Sequence, residues 1–306
     1  MKSYFNGKRA LVIINPISGK RTTKEQLFNI TDLFSVNGLE TTVYTTRCKG
    51  DATELVVRRG GDFDVLVCRG GDGTFNEVVN GMMALDPEKR PLLGYIPAGS
   101  TNDLARTLQI PINNNTEAID VILNGQPLWQ DMGLFNEETH WCYTASFGAF
   151  VDISYGTPQK LKNRWGRLAY FAQAPAAIRG IHPIRLRVRT DEGFDEEGDY
   201  IFCAVSNSTS IAGTLKLSRS LVGLNDGRLE LLLVRYPRSA AEMASTVMKL
   251  ATRNFNRDAS VRMLQTRRAR FTFDAPEPWT VDGEDAGLHS DVVVENVHNA
   301  VQVFRR

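Results

Sequence analysis

Two glycine-rich turns in the first third of the chain have the residue types that bind phosphate groups. Gly70–Thr74 (GGDGT) follows the apolar run Asp64–Arg69, and Pro97–Asp103 (PAGSTND) follows the apolar run Leu92–Ile96. Glycine lets the backbone adopt positive φ and approach a ligand closely. Free N–H groups at the start of a following helix favour an anion. Each segment alone is also compatible with a plain tight turn.

Polar side chains within these turns strengthen the prediction of phosphate binding. Asp72 could orient a phosphate that carries Mg²⁺, and Ser100 could donate its hydroxyl to a phosphate or cap a helix. Asn15–Lys20 (NPISGK) also follows a strand-like run, but it is not a P-loop. That motif requires Gly where Ile14 stands and Ser or Thr where Arg21 stands. A nucleotide would therefore be held by a different arrangement.

Two Asp-Gly pairs in the second half of the chain place acidic groups in turns. Asp282–Glu284 (DGE) and Asn225–Arg228 (NDGR) are both next to strand-like runs. Because Asp-Gly is a common turn pair, a simple turn is the alternative for each. A carboxylate in such a position could accept the proton of an alcohol, which is a poor nucleophile at neutral pH.

Strands and amphipathic helices alternate over the first part of the chain. The strand patterns Arg9–Asn15, Glu40–Thr45, Asp64–Arg69 and Leu92–Ile96 are separated by helical patterns. This order predicts a parallel sheet covered on both faces. Ligands of such sheets bind at the carboxyl ends of the strands, so the glycine-rich turns should lie close together.

The pattern changes after Gly125, where short alternating strands dominate and one clear helix lies near Ser239–Thr252. Many short strands separated by turns predict a mostly antiparallel sandwich or barrel-like domain. We therefore predict an α/β domain over residues 1–125 and a β-rich domain over residues 126–306.

Three segments together resemble the successive signatures of the diacylglycerol kinase catalytic domain: Asn15–Gly19, Gly71–Glu77 and Ile96–Asp103. The whole chain is similar to soluble bacterial diacylglycerol kinases, in the wider group with sphingosine and ceramide kinases. The resemblance implies that ATP is the phosphoryl donor, that Mg²⁺ is required, and that a lipid hydroxyl is the acceptor. It also implies an N-terminal sheet like that of NAD kinases and phosphofructokinases, and a C-terminal β-sandwich.

The resemblance assigns ATP-binding roles to residues of the first domain. They are Asn15, Pro16, Ile17, Ser18, Gly19, Thr46, Gly71, Asp72, Gly73, Thr74, Phe75, Asn76, Glu77, Ser100 and Asp103. The family has threonine at the position of Ser100, and serine retains the hydroxyl.

In the second domain, which is expected to bind the lipid, the resemblance makes Asp282 the general base. Glu284, Asp131 and Asp72 are expected to form an acidic network around metal and nucleotide. A structural Mg²⁺ is expected to bind Asp226 and the carbonyl groups of Gly223 and Arg228. The active site is then expected in the cleft between the two domains.

Other functions remain open from the sequence alone. Gly71–Thr74 is shared with NAD kinases, whose acceptor is a soluble dinucleotide. A catalytically silent regulator that binds lipid or nucleotide is a second alternative. Among lipids, diacylglycerol is the leading candidate, and ceramide, monoacylglycerol and phosphatidylglycerol are the others.

Composition narrows the setting in which the protein works. The formal net charge of +1 gives no global field for nucleic acid, and none of the four cysteines forms a C-x-x-C pair. The isolated cysteines predict reduced thiols in a cytoplasmic protein. The lipid acceptor that the resemblance implies then predicts that the protein visits the inner face of the cell membrane. The segment Lys160–Phe171 mixes cationic and aromatic residues and is the expected membrane contact. A homodimer is compatible with the sequence, which does not specify the oligomeric state.

Overall fold

The computed structural model describes residues 4–18, 24–112, 114–148, 181–211, 215–217, 222–253, 255 and 259–306. Gly19, assigned above to ATP binding, lies outside these ranges, and so does the predicted membrane contact Lys160–Phe171. Within the described ranges, no helix combines the length and apolar character that crossing a bilayer requires.

Helices and strands alternate as far as the fifth strand. The elements are β1 (Arg9–Ile14), α1 (Lys24–Val36), β2 (Glu40–Thr45), α2 (Asp51–Arg59), β3 (Val65–Gly70), α3 (Asp72–Met83), β4 (Leu92–Pro97), α4 (Asp103–Thr107), α5 (Asn115–Asn124) and β5 (Gln126–Phe135).

Strands dominate the remainder of the described chain. The elements are β6 (Thr139–Trp141), β7 (Thr144–Gly148), β8 (Ile184–Thr190), β9 (Asp195–Ser206), β10 (Ser210–Ile211), β11 (Leu215–Lys216), β12 (Leu229–Arg235), α6 (Ala240–Thr252), β13 (Val261–Thr266), β14 (Arg268–Val281) and β15 (Glu284–Arg305).

The chain folds into two compact units. The first comprises Met1–Met132 and Val297–Arg306, and the second comprises Gly133–Asn296. The predicted division at residue 125 therefore lies a few residues before the first boundary. The prediction also placed the last ten residues in the second domain, whereas they pack in the first unit. Val303 and Phe304, near the end of β15, are buried there.

A parallel sheet lies at the centre of the first unit. β1 pairs with β2 and β3, and β3 pairs with β4, all in parallel. The register aligns Ile14 with Arg69 and Gly70 with Pro97. β3 is buried along its whole length, which explains its nearly continuous apolar sequence. Because the strands run in the same direction, the segments that follow β1, β3 and β4 leave from one edge of the sheet.

The sheet of the second unit is antiparallel, so the predicted two-domain organisation with an antiparallel C-terminal domain is confirmed. β12 pairs with β13 and with β9. β7 and β8 pair with different parts of β9 and also with different parts of β14. Alternate residues of β12 face two apolar clusters. Leu231 belongs to the cluster that contains Trp141 and Trp279, and Leu232 packs with Met243 of α6.

Several strands of the second unit are longer than predicted. The apolar runs Val292–Val294 and Val301–Phe304 predict two separate short strands, but both belong to β15. From its many acidic residues, the stretch Asp191–Asp199 is expected to form a solvated hairpin loop. In the structure Asp195–Asp199 belong to β9 instead.

Pairs of opposite charge link β8 to this acidic part of β9. Arg187 of β8 lies 2.7 Å from Asp195, and Arg185 lies 2.5 Å from Glu197. The alternating sequence Arg185-x-Arg187-x-Arg189 predicts that these arginines occupy the exposed side of a strand. The alternating burial of β8 confirms it.

The close contact between α2 and α3 gives a test of the first unit. A Cβ atom on Gly81 of α3 would lie 2.6 Å from Val56 Cβ and 2.9 Å from the carbonyl oxygen of Thr53. We expect Gly81→Ala to lower the free energy of unfolding by about 1–3 kcal/mol through overpacking. Alanine's advantage in a helix, about 1 kcal/mol, should not offset that loss.

Chemical denaturation measures the effect. Gly61→Ala is the control, because the nearest neighbour of its new Cβ would be 3.8 Å away. Unchanged or increased stability of Gly81→Ala would show that α2 and α3 are not in such close contact.

Candidate active site

The two glycine-rich turns meet at the carboxyl edge of the parallel sheet. A Cβ atom on Gly99 would lie 2.6 Å from Gly71 Cα, and one on Gly71 would lie 3.2 Å from Gly99 Cα. The backbone N–H of Ala98 donates to the carbonyl of Gly70 at 2.7 Å. Since neither turn carries a side chain at this contact, the two backbones pack directly against each other.

The segment after β1 joins the same edge. Asn15 Nδ2 donates to Thr74 Oγ1 at 3.0 Å, and the N–H of Gly71 donates to Ser18 Oγ at 3.3 Å. The Asn15 carboxamide oxygen also accepts from the N–H of Ile17 at 3.1 Å. All three segments that the sequence singled out are therefore brought together in the first unit.

Asn102 shapes the second turn. Its carboxamide makes two hydrogen bonds with the backbone of Gly99, at 2.9 and 2.8 Å. Asn102 itself has a φ of 50°, in the left-handed region that asparagine tolerates better than most residues. Sequence reasoning gave Asn102 no role of its own, although an asparagine next to a glycine-rich turn is the signal that could have suggested one.

Asp72, which is half-buried, and Asp103, which is buried, form an acidic pair at the start of α3 and α4. The Asp72 carboxylate accepts from the backbone N–H groups of Asp103 at 3.1 Å and Leu104 at 3.4 Å. Burial raises the pKa of Asp103 to about 6, and repulsion from Asp72 acts in the same direction. Burial also raises the pKa of Asp72, and the two N–H groups oppose that rise. A cation near this pair would relieve the repulsion.

The other residues of α3 that were predicted to bind ATP have distinct surroundings. Gly73 lies in the first turn of the helix. Phe75 is fully buried, with its ring centroid 4.8 Å from that of Tyr95. Asn76 accepts from Asn80 Nδ2 through its carbonyl and its carboxamide oxygen, each at 2.9 Å. These contacts fix the helix that begins at the glycine-rich turn.

Glu77 and Thr46 hold neighbouring backbone segments. Glu77 Oε1 accepts from the N–H of Gly50 at 2.9 Å, just before α2. Thr46 follows β2, and its N–H donates to the carbonyl of Ile14 at 2.9 Å.

Ser100 and Ile17 are exposed, and Pro16 is half-buried. Ser100 is thus available to a ligand, as its predicted role requires.

Asp131 is fully buried within the first unit. Its Oδ1 accepts from the backbone N–H of Asn299 at 2.7 Å and lies 2.9 Å from His298 Nδ1. No ligand spacing in the sequence indicated this contact for His298. The partners of Asp131 therefore come from the returning part of β15.

Asp282 occupies a two-residue hairpin turn of the second unit. Both turn residues have positive φ, 49° for Asp282 and 79° for Gly283, as this turn requires. The simple turn considered from the sequence is therefore present. Glu284 is exposed and opens β15 opposite Val281.

The carboxylate of Asp282 has a further set of partners. It accepts three backbone N–H groups, from Cys142 at 2.6 Å, Tyr143 at 2.9 Å and Thr144 at 3.1 Å. Such donors stabilise negative charge on a carboxylate and fix its orientation. An anion held in this way can accept a hydrogen bond from an alcohol and direct it. The sequence gave no sign of this segment, which lies far from Asp282 along the chain.

The predicted structural cation site lies just before β12. Asp226 Oδ1 accepts from the N–H of Arg228 at 3.0 Å, and a Cβ on Gly223 would lie 2.2 Å from Asp226 Oδ2. The carbonyl of Arg228 accepts from Asn296 Nδ2 at 3.3 Å. Among the described residues no cluster of three or more His, Cys, Asp or Glu side chains could hold a metal. Carboxylate and carbonyl oxygens are nevertheless the donor type that Mg²⁺ prefers, so these residues fit such an ion.

The Asp72–Asp103 pair predicts a pH-dependent stability. The pKa of Asp103 is raised from 3.8 to about 6 on folding, so ionisation of Asp103 opposes folding and stability falls as the pH rises through that window. Asp103→Asn cannot ionise. We expect its melting temperature to exceed that of the unsubstituted protein above about pH 7, and the difference to shrink towards about pH 4.

Thermal unfolding without nucleotide or metal, measured across this range, tests the expectation. Asp32→Asn, at an exposed position of α1, is the control. An Asp103→Asn protein that is equally or less stable at every pH would contradict it.

Two family profiles match the sequence of this chain. The profile of the diacylglycerol kinase catalytic domain matches residues 9–135. The profile of the YegS C-terminal NAD kinase beta sandwich-like domain matches residues 153–305. Together they match most of both compact units.

Individual proteins match over most of the chain. A diacylglycerol kinase of Bacillus subtilis (strain 168) is 33% identical over 285 residues, 92% of this chain and 91% of that protein. A diacylglycerol kinase of Staphylococcus aureus (strain Newman) is 37% identical over 248 residues, 80% of this chain and 76% of that protein.

Solved structures share the fold at lower identity. The crystal structure of a diacylglycerol kinase from Bacillus anthracis str. Sterne has a TM-score of 0.73 at 20% identity and covers 98% of this chain and 97% of that chain. Yeast NADH kinase, in complex with NADH, has a TM-score of 0.54 at 14% identity and covers 97% of this chain and 83% of that chain. From its identity to the Bacillus subtilis and Staphylococcus aureus proteins over most of its length, this chain belongs to the diacylglycerol kinase family.

Proposed function

We propose that this protein is an ATP-dependent lipid kinase that transfers the γ-phosphoryl group to a lipid hydroxyl, with diacylglycerol as substrate and phosphatidic acid as product. The family relationship supports phosphoryl transfer to a lipid. The observation that carries the proposal is the convergence of three backbone segments at one edge of the parallel sheet, where Gly71 and Gly99 allow the two glycine-rich turns to approach each other closely. This arrangement suits the phosphate groups of ATP.

ATP binding is assigned to the first unit. Ser100 is exposed and can donate a hydroxyl hydrogen bond, and the first turn of α3 presents N–H groups and the positive end of a helix dipole. Asn15, Ser18 and Thr74 hold the segments around this position through their mutual contacts. The parallel sheet beneath them supports the likeness to NAD kinases and phosphofructokinases expected from the sequence.

Mg²⁺ has two proposed roles. Bound with ATP, it would neutralise the charge that develops on the phosphoryl group, and Asp72 and Asp103 are the acidic residues assigned to it. At the second position it would stabilise the turn that contains Asp226. Both assignments are supported by oxygen donors that lie close together.

Asp282 is assigned the role of proton acceptor. Its carboxylate would accept a hydrogen bond from the lipid hydroxyl and take the proton as the oxygen attacks the γ-phosphorus. The three backbone N–H groups that it accepts support a fixed orientation of this carboxylate. Glu284 and Asp131 are assigned to the supporting acidic network. Positioning and charge neutralisation would supply most of the rate enhancement.

The lipid acceptor implies work at a membrane surface. We propose a cytoplasmic enzyme that associates peripherally with the inner face of the cell membrane, with the second unit binding the lipid. The segment Lys160–Phe171 is the proposed contact because cationic and aromatic residues together favour an anionic lipid surface.

A panel of acceptors tests the proposed reaction. Purified protein with ATP and MgCl₂ is incubated with mixed micelles of diacylglycerol, monoacylglycerol, ceramide or phosphatidylglycerol, and separately with NAD. Mass spectrometry identifies the products. We expect the highest kcat/KM for diacylglycerol, with phosphatidic acid as product, because the family match points to that acceptor. A reaction without MgCl₂ is the control.

Three other results of the acceptor panel would each lead to a different conclusion. Preference for another lipid would retain the kinase and replace the substrate. Phosphorylation of NAD in place of lipid would refute the lipid assignment. Binding of ATP and lipid without turnover would identify a regulator.

The proposed role of Asp282 gives a second prediction. Asp282→Asn keeps one acceptor oxygen for the backbone N–H groups but cannot take a proton. We expect kcat to fall by about 10²- to 10⁴-fold, the usual contribution of a general base. ATP affinity should be nearly unchanged, since the nucleotide is assigned to the first unit. Asp274→Asn, exposed on β14, is the matched control.

The melting temperatures of both variants show whether a fall in kcat reflects a lost catalytic group or a loss of folded structure. A stably folded Asp282→Asn protein with nearly normal kcat would remove Asp282 from the catalytic role.

A further inference from the structure

Glu230 is a buried acidic residue of the second unit to which neither the family resemblance nor the proposed reaction gives a role. It lies on β12 and has no exposed surface. Its Oε1 accepts from Gln265 Nε2 at 3.3 Å. Its Oε2 is buried without a hydrogen-bond partner among the described residues.

The neighbouring strands do not compensate for this burial. Ser206 of β9 and Gln265 of β13 flank Glu230 in the sheet register. The Ser206 hydroxyl is directed to the carbonyl groups of Tyr143 and Ser208, at 3.0 and 3.3 Å. The long contact with Gln265 is therefore the one side-chain hydrogen bond to Glu230 in the part of the chain that the structure describes. A buried carboxylate normally needs a cation or a full set of donors.

Among the described residues, the charged group that acts on the Glu230 carboxylate has the same sign. Asp226 precedes β12 in the turn described above, and its carboxylate repels that of Glu230. The turn also contributes the carbonyl of Arg228, between the two acids in sequence. Two carboxylates that repel each other beside backbone carbonyls form a donor set for a hard divalent cation.

We propose that Glu230 is a further anionic residue of the cation site at Asp226, where its Oε2 holds the ion or a water bound to it. This inference rests on the structural Mg²⁺ site proposed for Asp226. The cation supplies the positive partner that Glu230 does not have among the described residues, and it removes the repulsion between the two carboxylates. The site therefore joins the turn before β12 to the interior of the sheet.

Cation binding and thermal unfolding of the full chain, without nucleotide or lipid, test the proposal. Glu230→Gln keeps the shape of the side chain and removes its charge, and Asp226→Asn does the same for the known acid of the turn. Glu138→Gln, at an exposed position in the same unit, is the control. Mg²⁺ is titrated calorimetrically, and melting temperatures are measured in EDTA and in saturating MgCl₂.

We expect Glu230→Gln to melt at the same or a higher temperature than the unsubstituted protein in EDTA, because a buried charge that Asp226 repels is removed. In MgCl₂ we expect it to lose the increase in melting temperature that the unsubstituted protein shows. Its Kd for Mg²⁺ should rise by about 10- to 100-fold, the usual effect of residues that support a metal site.

An unchanged Mg²⁺ affinity and thermal increment in Glu230→Gln, with both lost in Asp226→Asn, would overturn the role of Glu230 and leave the Asp226 site in place. Unchanged values in Asp226→Asn as well would remove the cation site itself. Neither result bears on lipid phosphorylation, which is not measured.

If Glu230→Gln does not fold, Glu230→Asp provides the test. It keeps the charge on a shorter side chain, so weakened but detectable Mg²⁺ binding is expected. Unweakened binding would refute the proposal.

Discussion

The contact between Gly71 and Gly99 is the constraint on which the candidate nucleotide site depends. Parallel pairing of β3 with β4 places the two turns side by side, and the backbones then approach so closely that no side chain fits between them. The carboxamide of Asn102 holds the second turn in this shape through its bonds with Gly99. Any larger residue at either glycine would push the turns apart, and the helices α3 and α4 that begin there would move with them.

Three acidic residues with proposed functional roles accept hydrogen bonds from backbone N–H groups. Asp72 holds the start of α4, Glu77 holds the segment before α2, and Asp282 holds the start of β7. Each carboxylate thereby fixes a neighbouring segment as well as its own orientation. Substitution of one of these acids will therefore disturb both charge and backbone, which is why isosteric amides are more informative than alanine.

Sequence reasoning was reliable where the signal is local. The strands β1 to β4 follow from short apolar runs bounded by turns, and the family resemblance, carried by contiguous motifs, is confirmed. Sequence reasoning was wrong where pairing between distant segments determines the local structure. The acidic residues Asp195–Asp199 become part of a strand because arginines of β8 lie opposite them. The hydrogen-bond donors to Asp282 and the incomplete hydrogen bonding of Glu230 likewise depend on segments that no local sequence pattern reveals.

The return of β15 to the first unit has a consequence for biosynthesis. Ala300 accepts a hydrogen bond from Arg90, and the ring of Phe304 packs against that of Phe5. The core that contains the earliest residues of the chain is thus completed by residues 297–306. During translation this N-terminal part cannot reach its finished state until those residues have left the ribosome. Until then its exposed apolar edge is a natural substrate for chaperones.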